Sequence, residues 1–426
     1  MTIYVVLTFL GLALTGMPLA FALGMASVGA IYLLDFELVV MPQRMMHAVN
    51  NFPLMAIPLF ILAGELMVRA DIMERLIGFA NSLVGRVHGG LAQVTVISGT
   101  IFSSVSGAAV ASASALGSTL VPSLRKYYPD DYSGAVICSA ANLGAIFPPS
   151  NAMIVYALMA GSSVSVGGLF MAGVVPGFIL VTCFMILAAF ISKRRGYPFT
   201  GSTFNFRVML TQARRALVIL LMPVIVVGGI VGGAFTATEG AAIAVLYSLM
   251  IGFFVTKTLR LRDLPGCLFR ASVTSAMVGA LIAFAAAVTF IFTIEMVPAQ
   301  LSDYIQGLTE NPMTFLLLVM LLLIVLGMFL ESNAAYIMLV PLFAPLALTY
   351  GIDPLYFGFL FVFNLIIGMM TPPVGVLYFV VSGISKAPLG PLIKASFPFV
   401  LVQFGVLGLC IIFPDLVTAL PRAMGF

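Results

Sequence analysis

Charge is scarce in this sequence. Asp, Glu, Lys and Arg make up 8% of its 426 residues, against roughly 25% in a typical soluble domain. Too little polar surface is present to cover a globule in water, which excludes a soluble enzyme, a nucleic-acid binder and a disordered chain. Histidine is almost missing: His47 and His88 stand alone in polar stretches and read as surface residues. Without a His/Glu cluster, a transition-metal or haem site is not expected. The four cysteines, Cys138, Cys183, Cys267 and Cys410, are far apart and none has CxxC spacing. No disulfide framework or zinc site is therefore suggested. The segment Met1–Leu14 lacks a basic n-region and reads as a retained first helix rather than a signal peptide.

What is abundant is apolar sequence, 62% of residues, with a mean hydropathy of +1.18. A membrane-spanning helix takes roughly 20 apolar residues, so the chain has material for about ten spans plus shorter pieces. Short alternating segments, the mark of a membrane barrel, are not seen. The fold class expected is an all-α polytopic membrane protein.

The runs Thr2–Leu14, Pro18–Leu34 and Pro53–Val68 read as spans, and 71–88 reads as a helix lying in the interface. The stretch Leu91–Leu124 carries no charge and many serines. As one helix it would be roughly 51 Å long, too long for a core of ~30 Å, and it is too short for two full spans. Two half-depth helices meeting near Ser103–Gly107 fit better, a re-entrant hairpin over about 91–121. The run 133–161 is a span broken by Phe147-Pro148-Pro149, since two prolines remove two backbone donors. Gly168–Ile191 closes the first unit.

After a basic linker around 192–215 the pattern repeats. Spans are expected at Ala216–Val231, Gly240–Thr256 and Ala271–Ile294, then an amphipathic stretch at 295–311. A second hairpin is expected over about 313–348, although two full crossings have the same parity. A span over 355–383, broken by Thr371-Pro372-Pro373, and a last span at Ser396–Phe413 complete it. Residues Gly144–Pro149 align with Gly368–Pro373 at an offset of 224. The expected organisation is thus two repeats, 1–195 and 216–426, joined by a linker at 196–215, each with about five transmembrane helices and one hairpin.

Five crossings per repeat is odd, so the second repeat should be inverted. With the linker placed in the cytoplasm, every Lys and Arg except Arg44 and Arg422 falls on the cytoplasmic side, in accord with the positive-inside rule. Both termini then lie on the outer side.

Irregular backbone within a bilayer is tolerated only where protein or a water-filled cavity satisfies it. Paired breaks in inverted repeats point to a transporter's binding site. One cluster is Ser103, Ser104 and Ser106 with Gly144, Pro148 and Asn151. The other is Gly327, Ser332 and Asn333 with Gly368 and Thr371. Hydroxyl, amide and carbonyl oxygens suit a hard cation such as Na⁺, and helix N-termini favour an anion. Helix packing is the duller account of the serines, and the preferred one for Ser112, Ser114 and Ser118. Three acids lie in or beside apolar runs, and such acids are functional candidates. Glu331 sits at the second hairpin tip. Glu65 also has the option of an i,i+4 pair with Arg69, and Glu239 that of a helix cap with Thr236 or Thr238.

The segments Ser103–Val110, Gly144–Ser150, Phe170–Gly177, Gly233–Glu239 and Gly368–Gly375 together resemble the large membrane subunit of tripartite ATP-independent periplasmic (TRAP) transporters. The resemblance covers essentially the whole chain. It implies secondary, Na⁺-driven import of an organic acid, such as a C4-dicarboxylate or sialic acid, across a bacterial inner membrane, which makes both termini periplasmic. It implies two partners besides lipid, a periplasmic substrate-binding protein and a small four-helix membrane subunit. It further implies an elevator motion, in which hairpins and broken helices move against a scaffold. By this resemblance two or more Na⁺ ions are bound, one at Ser103, Ser106, Gly144 and Pro148, another at Gly327, Gly368 and Thr371. Substrate is expected between the hairpin tips, at Ser104, Ser106, Asn151, Ser332, Asn333 and Pro373. The Ser332-Asn333 tip is also similar to that of divalent-anion/sodium symporters, so a stand-alone symporter of like architecture is the alternative.

Overall fold

In apolar segments with no side chain to take over backbone hydrogen bonds, the helix is the conformation that satisfies every N–H and C=O. A computed structural model describes residues 1–198, 206–330 and 332–426, without the side chains of Leu14, Val105, Ser106, Ser162, Pro298 and Ser302. Among the described residues there are helices and connections and no strand.

Up to Pro198 the order is α1 (Thr2–Leu14), α2 (Leu19–Leu33), α3 (Val40–Val49), α4 (Ala56–Arg69), α5 (Ile72–Val84), α6 (Gly90–Ser106), α7 (Ala109–Leu124), α8 (Asp130–Leu143), α9 (Asn151–Ala160) and α10 (Val166–Arg194). From Phe206 it continues with α11 (Phe206–Val231), α12 (Ala237–Met250), α13 (Leu264–Ile294), α14 (Val297–Leu308), α15 (Pro312–Gly327), α16 (Ser332–Thr349), α17 (Pro354–Gly368), α18 (Val376–Ser385), α19 (Leu389–Ile412) and α20 (Asp415–Ala423).

Seven helices among the described residues are long and apolar enough to cross a bilayer. Six coincide with expected spans; the seventh, Ser332–Thr349, is an arm of the expected second hairpin. The helices α1 and α2, at 13 and 15 residues, fall below that length. Three helices, α11, α13 and α19, start well ahead of the apolar runs expected, α19 at Leu389. α11 starts at Phe206, inside the expected linker, because Arg207, Arg214 and Arg215 are good helix formers. α13 starts at Leu264, ahead of the apolar run. The amphipathic α20 follows the last span.

Helix ends carry local signals. Asp353 accepts hydrogen bonds from Leu355 N–H (2.9 Å) and Tyr356 N–H (3.0 Å) to start α17. Thr236 and Glu239 form a reciprocal capping box at α12: Thr236 N–H donates to Glu239 (2.8 Å) and Glu239 N–H to Thr236 Oγ1 (3.3 Å). Of the two options open in the sequence, the cap accounts for Glu239. The ion-pair option for Glu65 resolves differently. Glu65 accepts from Arg270 (2.7 Å), while Arg69 pairs with Asp263 (2.8 Å). These two bridges tie the end of α4 to the start of α13.

The centre is formed by α8 and α17. Every residue from Tyr132 to Leu143 and from Tyr356 to Gly368 is buried. α8 packs against α6, α7 and α19, and α17 against α15, α16, α10 and α19. A second group of contacts gathers α2, α3 and α4 on α13, with α12 on α4.

Candidate functional site

The helix breaks follow from proline chemistry. A proline at position i cannot donate to the carbonyl at i−4. Pro148 and Pro149 therefore release the carbonyls of Gly144 and Ala145; at the second break the carbonyls of Gly368 and Met369 lose those donors but accept instead from Thr371 N–H (2.9 Å) and Leu377 N–H (3.3 Å). α8 ends at Leu143 and α9 starts at Asn151; α17 ends at Gly368 and α18 starts at Val376. Both Pro-Pro bonds are cis. The Ser150 hydroxyl takes over one freed group by donating to Ala145 C=O at 2.5 Å. It also caps α9, accepting from Met153 N–H at 3.4 Å.

Each break presses against the first arm of a hairpin. A Cβ on Gly144 would lie 2.5 Å from the Cα and carbonyl carbon of Ser103 in α6. A Cβ on Gly368 would lie 2.7 Å from the same two atoms of Gly327 in α15. Gly375 N–H, beyond the second break, donates to Met328 C=O at 3.3 Å. The first hairpin turns at Gly107, whose φ of +63° is left-handed, a conformation glycine takes without strain. A Cβ there would sit 3.0 Å from the Asn151 backbone nitrogen and side-chain carbon.

Ser103 carries the most informative polar atom. Its hydroxyl is buried and has no hydrogen-bond partner, which is also true of Ser98 and Ser133; what sets Ser103 apart is its place against the break at Gly144. Buried polar groups are nearly always bonded, so an orphan calls for an explanation such as an ion. The residues around it fit a Na⁺ ion: a neutral hydroxyl and the carbonyl that Pro148 releases at Gly144 are hard oxygen donors. In the second cluster, Thr371 Oγ1 donates to Ile367 C=O at 2.9 Å. Donation leaves its lone pairs able to face a cation.

Between the hairpin tips lies a cavity of about 870 Å³. Gly107–Ala111, Ala145, Asn151, Ser332, Asn333 and Met369 form one wall; α2, α4 and α13 supply the other, which is mostly apolar. None of its described lining residues is charged. Of the substrate candidates, Asn151, Ser332 and Asn333 line it. Ser104 does not: its hydroxyl is buried and donates to Ile101 C=O of its own helix at 2.7 Å. Pro373 is exposed and away from the cavity. The Ser106 side chain and Glu331 lie outside the described residues.

Two amides escaped the sequence reading. Asn142, in α8, donates to Gln403 Oε1 (2.8 Å) and Ile366 C=O (3.0 Å). Asn364, in α17, donates to Met320 C=O (2.6 Å). Each is the one amide side chain of a fully buried apolar half-helix, and that isolation is the signal that would have found it. The bond from Asn142 to Ile366 joins positions 224 apart.

A hairpin seated on a broken helix, twice over, around a neutral cavity is an arrangement suited to moving a solute. The model of the DctM component of the tripartite ATP-independent periplasmic transporters matches residues 6–416. The chain belongs to that family. It is 37% identical over 416 residues to the sialic acid TRAP transporter large permease protein SiaM of Vibrio cholerae, covering 97% of each chain. It is 36% identical over 383 residues to the C4-dicarboxylate TRAP transporter large permease protein DctM of Pseudomonas aeruginosa, covering 90% of this chain and 89% of that one. Among solved structures, the YdaH transporter of Alcanivorax borkumensis shares the fold with a TM-score of 0.64 at 16% identity, over 97% of this chain and 98% of that one. As a TRAP large subunit the chain is a multi-span membrane component of a transporter, not an enzyme.

Proposed function

We propose that this TRAP subunit imports a small organic carboxylate, coupled to Na⁺, through the cavity between its hairpin tips. The relatives named for sialic acid and for C4-dicarboxylates support that substrate class. The bacterial inner membrane is its place, with both termini periplasmic, and a periplasmic binding protein and a small membrane subunit are its partners.

The observation that carries the reading is the orphan hydroxyl of Ser103 beside an uncharged cavity. Taking a carboxylate out of water into a neutral pocket is costly unless a compensating charge is near. Among the described residues no cation lines the cavity. A Na⁺ ion held by Ser103 and Gly144 C=O, with a second at Gly327, Gly368 and Thr371, would supply positive charge without a lysine or arginine. The chain's own residues do the rest. Asn151 and Asn333 offer N–H donors to the carboxylate, and the apolar wall of α2, α4 and α13 excludes water. Substrate and ion then stabilise each other, which is what coupling requires.

The paired breaks support two inverted repeats, 1–195 and 216–426. The contact of Asn142 with Ile366 is what an axis between such repeats would produce, since a residue near the axis meets its own equivalent. In the elevator reading, the hairpins and broken helices move as one body along α13 and its neighbours.

The test is thermal unfolding of the purified protein in detergent, in NaCl and in KCl at equal ionic strength. A ligand that binds only the folded state raises stability by mass action. A Na⁺-specific rise that shrinks in Ser103→Ala and in Thr371→Ala supports the reading. Equal stability in both salts removes sodium coupling.

A further inference from the structure

Three hollows follow one another along α13. The cavity between the hairpin tips shares Ile57 and Val278 with a smaller hollow of about 190 Å³. That hollow shares Asn51, Leu54 and Ile282 with a pocket of about 480 Å³ further along the helix. From Leu281, at the cavity, to Phe290, in the outer pocket, α13 rises by ~14 Å. Neighbouring hollows thus share wall residues beside one helix, and only the last holds a basic residue among its described lining.

That residue is Arg44, with His47 beside it. Both are on α3, three residues apart and hence on one face. The Arg44 guanidinium lies over the Phe290 ring, 4.2 Å from its centroid. Stacking holds the planar group by its face and leaves its edge N–H groups for a carboxylate, which a guanidinium grips two-pronged. Among the described residues no carboxylate pairs with Arg44, and the pocket lining has no Asp or Glu. Thr289 and Thr293 face the pocket from α13. Arg44 is also one of the two basic residues that fall on the periplasmic side.

We propose that Arg44 and His47 form an outer carboxylate-binding site, distinct from the neutral cavity, where the anion is held before it moves inward along α13. The proposal rests on the reading of the cavity as the transport site. It divides the work between two places: a charged site at the mouth gathers the anion, and an uncharged one releases it once sodium leaves. A fixed arginine inside the cavity would hinder that release.

The test places a reporter thiol in the outer pocket, Thr293→Cys, in a Cys183→Ser background, and follows its reaction with uncharged N-ethylmaleimide. The probes are succinate and N-acetylneuraminate, because the site recognises the carboxylate group both share. Either probe is expected to slow the reaction by about tenfold at about ten times its dissociation constant. The protection is expected to disappear in Arg44→Gln and to return in part in Arg44→Lys, which restores charge without the fork. Absence of protection by both probes, or protection that survives Arg44→Gln, overturns the proposal. Loss of the Na⁺-dependent thermal rise with carboxylate protection intact would instead overturn the reading of the cavity.

Discussion

Ser103 and Gly144 meet without room for a single carbon atom between them. A Cβ on Gly144 would come within 2.5 Å of the Ser103 backbone, and Gly368 stands in the same relation to Gly327. At both places the broken helix can approach the hairpin only because it shows bare backbone. The proximity also brings the carbonyl released by proline next to the hairpin, so the packing and the ion-binding chemistry depend on the same residues.

Gly144→Ala and Gly368→Ala are therefore expected to push each hairpin off its break. The clash is with backbone, which cannot rotate away, so a cost of about 3 kcal/mol is expected, the upper end for overpacking. Gly279→Ala in α13 is the control: its Cβ would meet nothing within 4 Å, and a helical alanine gains about 0.5–1 kcal/mol over glycine. Thermal unfolding in detergent separates the two cases. Equal melting temperatures for Gly144→Ala and the parent would mean that the contact is not as drawn.

Ser103→Ala should act with opposite signs in two salts. Without sodium it removes a buried hydroxyl that has no partner, and an unmet group costs about 1–3 kcal/mol. In KCl the variant is expected to be at least as stable as the parent. In NaCl the parent should overtake it, since only the parent can use the hydroxyl to bind the ion. A variant less stable in both salts would assign Ser103 to packing.

The breaks were legible in the sequence because proline acts locally: Pro148-Pro149 and Pro372-Pro373 stop a helix wherever they occur. The turn at Gly107 and the cap at Thr236 were legible for the same reason. What a single strand of letters hides is who faces whom. Ser104 and Asn151 look equally plausible on the page, but the Ser104 hydroxyl spends its hydrogen bond on its own helix, whereas Asn151 starts α9 against the hairpin turn. Glu65 and Arg69 have ideal spacing for a pair. The structure separates them because α13 brings Arg270 and Asp263 to the same end of α4, some 200 residues on in the chain. Long-range partners of this kind leave no periodicity behind.

The Glu65–Arg270 bridge yields a prediction about coupling. Both side chains are partly exposed, 24% and 54%, and exposed ion pairs contribute about 0–1 kcal/mol. Glu65→Gln is expected to shift stability by less than about 1 kcal/mol and to leave uptake into proteoliposomes unchanged, with the proposed binding protein and small membrane subunit supplied. A collapse of uptake with normal folding would instead make Glu65 a proton carrier and weaken the case for sodium.

Asn333 and Asn151 allow the cavity itself to be tested against its surroundings. Both line it, from opposite hairpin-and-break units. If their amides hold the carboxylate, removing one loses a hydrogen bond to a charged group, about 1.5–3 kcal/mol, so Asn333→Ala and Asn151→Ala should raise KM for uptake by about tenfold or more. The Na⁺-dependent thermal rise measured without substrate should persist in Asn333→Ala, because the ion is held by other oxygens. Ser104→Ala should change neither quantity, since that hydroxyl is turned to Ile101 C=O. The three variants together separate a specific cavity from a general sensitivity of the hairpins: a KM that rises equally in all three would mean that the hairpin fold, and not contact with the substrate, is being measured.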